Sequence, residues 1–343
     1  MKKSLIIAVI FSTCAALFTS CTKTEISDSL NDSPIVFQVA NYMSQTKAGE
    51  TAFPINDVFG TYAWTNSANG GAQHQILMDG ETVGYTGSTW QAMDAGTKAA
   101  KNYYWPKSGN VDFISYYPAG ECWFGINKDA NVISASATIS GNTNTTNLMY
   151  ADKAIGRTYD NSKDGVETLF HHALSQISVI FNTAKDNDGH GVDFEVNVTS
   201  AKFTAINTKG SLSMGYTGTT GVWNAPKVWT VDTQSTSDFP MNVGKITTED
   251  KKVINGISVL PQVLESDNKL ELEYTVTTKY PKQDPVSEKL TASVALKDLN
   301  VSSWELNRKI TYTITIDPNG LNPITFLPLV EEWVASEAIE IEL

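Results

Sequence analysis

Among 343 residues there are only four histidines, three cysteines and two arginines, Arg157 and Arg308. The cysteines cannot build a disulfide framework. Cys14 lies in an apolar leader, Cys21 follows it directly, and Cys122 has no intrachain partner left, so cohesion has to come from buried apolar surface. The histidines offer no metal site. His171 and His172 are adjacent and point to opposite faces of a strand, while His74 and His190 sit in loop-like sequence without acidic or cysteine partners at ligand spacing. No glycine-rich phosphate loop, nucleophile elbow or zinc-protease motif occurs. Glu331 with Glu332, and Asp186 with Asp188, are carboxylate pairs of the kind a solvated surface carries. No catalytic residue, cofactor or metal is therefore assigned, and an enzyme is not expected. Basic residues are also scarce: 25 Lys and Arg face 37 Asp and Glu, a net charge of −12. That balance argues against a nucleic-acid partner, which requires a basic face.

The amino terminus is the strongest local signal. Lys2 and Lys3 precede SLIIAVIFSTCAALF, an apolar run too short and too soon interrupted for a membrane span. It ends in LFTSC at 17–21, where small Thr19 and Ser20 before Cys21 resemble a bacterial lipobox; Phe18 departs from it, since leucine is usual there. The expectation is a signal peptide over 1–20 and a lipid-modified Cys21, with a polar tether over 21–33. Acyl chains hold through burial of about 0.8 kcal/mol per methylene. The alternative is an ordinary secretory signal with an incidental cysteine.

Beyond the tether, apolar runs are short, rich in Val, Ile, Tyr, Phe and Thr, and punctuated by Gly, Asn, Asp or Pro. They fall at 35–39, 58–64, 75–78, 111–117, 176–182, 192–199, 257–260, 270–277, 289–296 and 310–316. This spacing predicts an all-β protein of two tandem β-sandwich domains, mostly antiparallel, with Greek-key-like connections. At this length two cores are the better expectation. A polar stretch at 154–167 places the boundary, giving domains of 34–165 and 166–343. Long apolar stripes at helical spacing are missing; only 90–102, WQAMDAGTKAAKN, reads as a short helix, weakened by Gly96. No fixed-period repeat is present, which disfavours a solenoid or propeller. DNDGHG at 186–191 begins like a calcium loop, but Asn197 stands where the closing glutamate belongs, and an Asp-Gly turn is preferred. The eight tryptophans could stack on sugars or fill sandwich cores, and the core reading is preferred.

A series of phrases, in order along the chain, resembles the fimbrillin-like lipoproteins of Bacteroidetes, the type V pilins. They are VDFISYYP (111–118), TNLMYADKAIG (146–156), LFHHALSQISV (169–179), GISVLPQ (256–262), WELNRKITYTITI (304–316) and ITFLPLVEEW (324–333). The resemblance implies tandem sandwiches, a lipoprotein precursor anchored in the outer membrane, assembly into fimbriae with other pilin subunits, and an adhesive surface facing a host or bacterial receptor. In that family a protease removes an amino-terminal strand, and a carboxy-terminal strand from a neighbouring subunit fills the groove it leaves. Here the departing strand would be 34–39, PIVFQV, and the processing residue Lys47, where better-known members present arginine. If the chain is never cut, it would keep its lipid and serve as an anchor or assembly-terminating subunit. Asp28-Ser29-Leu30 also resembles an acceptor for O-glycans, with Ser29 as the modified residue.

The carboxy terminus suits donation. Ile339, Ile341 and Leu343 alternate with Glu340 and Glu342, the period of a strand with one buried face. Three such side chains yield about 5–9 kcal/mol at most, against an association cost of about 4–15 kcal/mol. Adding Ile324, Phe326, Leu327, Leu329, Val330, Trp333 and Val334 raises the gross figure to about 15–30 kcal/mol. Residues 324–343 are thus expected to act as one bipartite donor, with Ile324, Phe326, Leu329, Trp333, Ile339, Ile341 and Leu343 as the candidate donor-strand residues. Pairing of this tail within its own sandwich is the competing arrangement. A reading from another class is a monomeric outer-membrane surface lipoprotein that binds glycan or host protein through exposed aromatic residues.

Overall fold

The structure is a computed structural model that describes residues 29–39, 53, 55–66, 75–120, 124–127, 132–138, 147–215, 221–319 and 324–333. Cys14, Cys21, Lys47, His74, Cys122 and the tail residues Ile339, Ile341 and Leu343 lie outside the described residues. Among those described, the fold is all-β with sandwich-type packing of mainly antiparallel sheets, and its only helical element is the 3-10 turn Leu296–Leu299. Each apolar run expected to form a strand does so.

The segment 90–102 is a correction. Trp90–Ala92 is a strand, and the chain then turns at Asp94, whose carboxylate oxygen Oδ1 accepts the N–H groups of Gly96 and Thr97 and the Thr97 hydroxyl. A short acidic side chain offered three local donors closes a turn instead of a helix. Asp188 behaves in the same way, accepting from the N–H groups of His190 and Val192 in the preferred Asp-Gly turn.

In the first half, a nine-stranded sheet runs in the order Val166–Thr168, Val36–Val39, Trp90–Ala92, Gln75–Tyr85, Val58–Asn66, Asn110–Tyr117, Met149–Ala151 and Phe170–His172, with Ala154–Arg157 also on Asn110–Tyr117. Its two terminal strands are separated in the chain by Leu169 alone, so the sheet must curl almost back onto itself. The enclosed core is aromatic: Phe37, Phe53, Phe59, Trp90, Trp105, Phe113 and Phe170 are all buried there.

In the second half, two sheets pack face to face. One orders Lys251–Val259, Ser175–Thr183, Arg308–Ile316 and Ile324–Glu332. The other orders Thr236–Met241, Asp193–Asn207, Lys269–Lys279 and Val286–Ala295, with Gly244–Ile246 beside Asp193–Asn207. Strict alternation along Ser175–Thr183 turns Ile177, Val179 and Phe181 inward against Val196, Phe203, Leu272 and Tyr274 from the facing sheet. Trp304 is fully enclosed, and its indole N–H donates to the Tyr312 hydroxyl at 2.9 Å, so its one polar group is satisfied.

A third sheet draws on both halves. Lys209–Gly215 pairs with Val132–Thr138 along its whole length, with Thr230–Val231 and Phe124–Asn127 outside them. Beneath it Trp64, Ile114 and Tyr116 meet Leu212, Met214, Trp223, Trp229 and Leu260. Two indoles are satisfied at this seam: Trp223 donates to the first-half Ala151 carbonyl at 2.9 Å, and Trp229 to the Ala173 carbonyl at 2.8 Å.

Gly221 marks the tightest approach across this seam. Its carbonyl accepts the Lys153 N–H at 2.9 Å, its φ is +74°, and a Cβ there would stand 2.0 Å from the Lys153 carbonyl oxygen. Gly221→Ala is expected to destabilise the protein by about 1–3 kcal/mol, read as a lowered thermal midpoint. Gly189→Ala is the control: it has a similar φ of +73° but open space around it, and should lose distinctly less. Equal losses for the two variants would contradict the close approach.

Candidate functional site

The leading strand takes its shape from its sequence. In Ile35-Val36-Phe37-Gln38-Val39 the odd positions are buried and Gln38 is exposed, the two-residue period of extended backbone. Two neighbours hold it. Val36 and Phe37 pair antiparallel with Gln91 and Trp90, while Phe37, Gln38 and Val39 pair in parallel with Val166, Glu167 and Thr168. Just before it, the Ile35 N–H donates to the Tyr103 carbonyl at 2.7 Å, and Ser29–Pro34 runs antiparallel to Tyr104–Pro106. Val36–Val39 is thus a ribbon laid through the nine-stranded sheet rather than along its rim, while Ser29–Pro34 before it forms a separate two-stranded sheet with Tyr104–Pro106.

Packing around the ribbon is aromatic and close. The Phe37 ring meets Phe59 and Phe113 edge-on, both at 5.7 Å, with interplanar angles of 88° and 85°. On the backbone side, Gly165 at φ +115° admits the turn into Val166–Thr168; a Cβ there would lie 2.8 Å from the Gln38 nitrogen. Only glycine both tolerates that φ and leaves that space. The ribbon is followed by 40–52, which contains Lys47 and lies outside the described residues apart from its far neighbour Phe53, buried in the same aromatic core.

The other sequence-predicted residues are at the far end of the chain. Ile324–Glu332 pairs antiparallel with Arg308–Ile316 from Ile316 opposite Ile324 to Arg308 opposite Glu332, as the rim strand of its sheet. Ile324 and Phe326 pack against the second core, but Leu327, Leu329 and Val330 are 62%, 55% and 50% exposed. A rim strand carrying exposed leucines and open backbone is the kind of surface that pairs with another chain. The first part of the expected donor therefore rests in its own sheet, apart from the leading strand.

Trp333 is anchored elsewhere. It is buried in the seam core, its ring lies flat on His172 at 3.8 Å and 5°, and its backbone N–H donates to the Asn307 carbonyl at 2.9 Å. The adjacent histidines do diverge: His171 reaches outward to Asp152 at 3.2 Å, and His172 turns inward. The His172 ring donates from Nδ1 to the Asn147 side-chain oxygen at 2.6 Å, leaving Nε2 without a hydrogen-bond partner among the described residues. Burial, with lesser repulsion from Lys309 and His171, depresses its pKa from 6.5 to about 3. Sequence reasoning missed this contact because a pairing across 161 positions leaves no local periodic signal. The tryptophans at 64, 90, 105, 223, 229, 304 and 333 are all buried, which favours the core reading over sugar platforms for these residues.

A pH dependence follows. Above pH 6.5 His172 is neutral in both states. As pH falls from 6.5 toward 3, the unfolded chain takes up a proton that the folded chain refuses, so stability declines by up to about 1.4 kcal/mol per pH unit from this group. His172→Phe keeps a flat ring under Trp333 but removes the titration. Its unfolding free energy should fall less steeply between pH 6.5 and 4 than that of the unaltered chain, and identical slopes would exclude His172 as the source.

Comparison with known proteins bears on these features. A family model for fimbrillin-like proteins matches residues 46–333. No curated protein matches the chain. A fimbrial protein of Bacteroides vulgatus shares the fold with a TM-score of 0.59 at 17% identity, covering 88% of this chain and 99% of its own. A candidate cell adhesion protein of Bacteroides ovatus does so with a TM-score of 0.52 at 18% identity, covering 89% and 99%. At such identities the structural likeness speaks for the fold alone.

Proposed function

The chain belongs to the fimbrillin-like family, and from that premise we propose that it is an adhesive fimbrial subunit of the cell surface that enters a fibre by strand exchange. Export would begin with the signal peptide 1–20 and lipid attachment at Cys21, with residues up to 33 as tether to the outer membrane. Cleavage after Lys47 would then release everything before Ala48, residues 29–39 included. The division into tandem units, 34–165 and 166–343, belongs to the same proposal, with the strands Val166–Thr168 and Phe170–His172 of the second unit pairing into the first sheet. No catalytic step is part of the reading.

One observation carries it. The leading ribbon presents Ile35, Phe37 and Val39 inward at alternate positions between two hydrogen-bonding strands, and the chain's end repeats that spacing with Ile339, Ile341 and Leu343. Loss of the ribbon would bare three apolar side-chain sites, about 5–9 kcal/mol of burial as an upper bound. Two rows of backbone donors and acceptors would open with them, a deficit that an added strand can repair. That figure is comparable with the whole net stability of a typical domain, about 5–15 kcal/mol. An emptied first half would hence be driven to recruit a replacement. The tail beyond Trp333 is the segment supported as donor, with the rim strand Ile324–Glu332 as the base from which it leaves.

The test uses surface fractions of producing cells, separated on gels without boiling and probed with antibody to the chain. A heat-resistant ladder whose subunits begin at Ala48 is expected. Deleting 334–343, which leaves Trp333 in its seat, should abolish every rung above a single adduct while the monomer stays folded. A ladder untouched by that deletion would remove the tail from the donor role. Recovery of only intact chain lipidated at Cys21 would instead favour the uncut surface lipoprotein.

A further inference from the structure

Given strand exchange as read above, we propose that the groove vacated by the leading ribbon selects a donor with an aromatic residue at its central inward position and no acid beside Glu167. The strand that completes this subunit then comes from a different fimbrial protein, because in a second copy Ile324–Glu332 is paired within its own sheet and the tail 334–343 lacks that pattern.

The first support is the central side-chain site. Phe37 is not a generic apolar plug: its ring is held edge-on by Phe59 and Phe113. Those partners continue into a connected aromatic network. Phe59 contacts Phe53, Trp90 and Phe170, and Phe113 contacts Trp105. Edge-to-face pairs gain from the positive rim of one ring meeting the negative face of another, which an aliphatic side chain cannot reproduce. The tail of this chain has the right period but no aromatic residue anywhere in 334–343. Seated in the groove it would place Ile341 at the Phe37 position, with both ring pairs lost and the site incompletely filled.

The second support is electrostatic and independent of the first. Gln38, the outward residue of the ribbon, lies directly across the parallel pairing from Glu167, whose carboxylate is exposed and 3.4 Å from Arg157. A tail running in the same direction as the ribbon would put Glu342 where Gln38 stands. Running in the opposite direction it would put Glu340 there. Either way two carboxylates would face each other on neighbouring strands, an arrangement that disfavours pairing. The native ribbon has an uncharged Gln38 at this point and Val36 at the other outward position, so it meets neither difficulty. Together the two effects predict that the chain's own tail binds its own groove roughly ten- to a hundredfold less tightly than a donor of the ribbon's pattern.

The test uses the full chain with a specific protease site inserted at Lys47, cut and exposed to an excess of labelled peptide, with apparent affinity taken from the bound fraction after gel filtration. Three peptides are compared: PIVFQV, copied from 34–39; AIEIEL, copied from 338–343; and the latter with Ile341→Phe, Glu340→Gln and Glu342→Gln. The ribbon peptide and the triply substituted tail are expected to bind at least fivefold more tightly than the unaltered tail. If PIVFQV enters but the substituted tail gains less than fivefold over AIEIEL, groove selectivity is overturned while strand exchange stands. If PIVFQV itself fails to enter the cut protein, strand exchange at this groove is overturned and the selectivity falls with it.

Discussion

Backbone hydrogen bonding on both sides of Val36–Val39 is the constraint from which the rest of the structure takes its meaning. A rim strand can leave with the loss of one ladder, whereas an interior strand exposes two. This ribbon is held antiparallel by Trp90–Ala92 and in parallel by Val166–Thr168, and its inward side chains reach the centre of the first core. The parallel partner is a consequence of the curl of the sheet, whose far end returns within one residue of its beginning at Leu169. Such a sheet tolerates removal of a strand only if something of the same period takes its place.

The seam couples that strand to the other end of the chain. The stretch 166–172 touches both: Val166–Thr168 pairs with the leading ribbon, and His172, a few residues on, lies flat beneath Trp333. The halves are further bound by a sheet built from both and by the Trp223 indole N–H, which satisfies the Ala151 carbonyl across the divide. The root of the tail is therefore fixed, while its exposed rim strand offers Leu327 and Leu329 to solvent. The second core needs Ile324 and Phe326 of this rim strand only as partial cover.

Much of the fold was legible in the chain because strands announce themselves locally. Short β-branched and aromatic runs between turn residues marked each expected strand, and the alternation in Ser175–Thr183 can be read by eye. The helix expected over 90–102 failed for an equally local reason, the Asx turn at Asp94. The candidate site was legible only in part. The period of the ribbon and of the tail is written in sequence, but the aromatic pairs around Phe37 join residues from three separate strands, and the stack of Trp333 on His172 joins opposite ends of the fold.

The sequence by itself determined the β class, the positions of the strands and the apolar period of the leading strand and of the carboxy-terminal tail. These are properties of neighbouring residues, set by backbone dihedrals and side-chain alternation over a few positions. Only the tertiary structure decided which strands lie side by side: that the leading ribbon is interior, that Glu167 is the residue facing Gln38, and that a sheet and a core bridge the halves. Strand pairing is a long-range choice among many segments of equal local merit, resolved by burial of whole faces at once, and no short stretch of chain contains it.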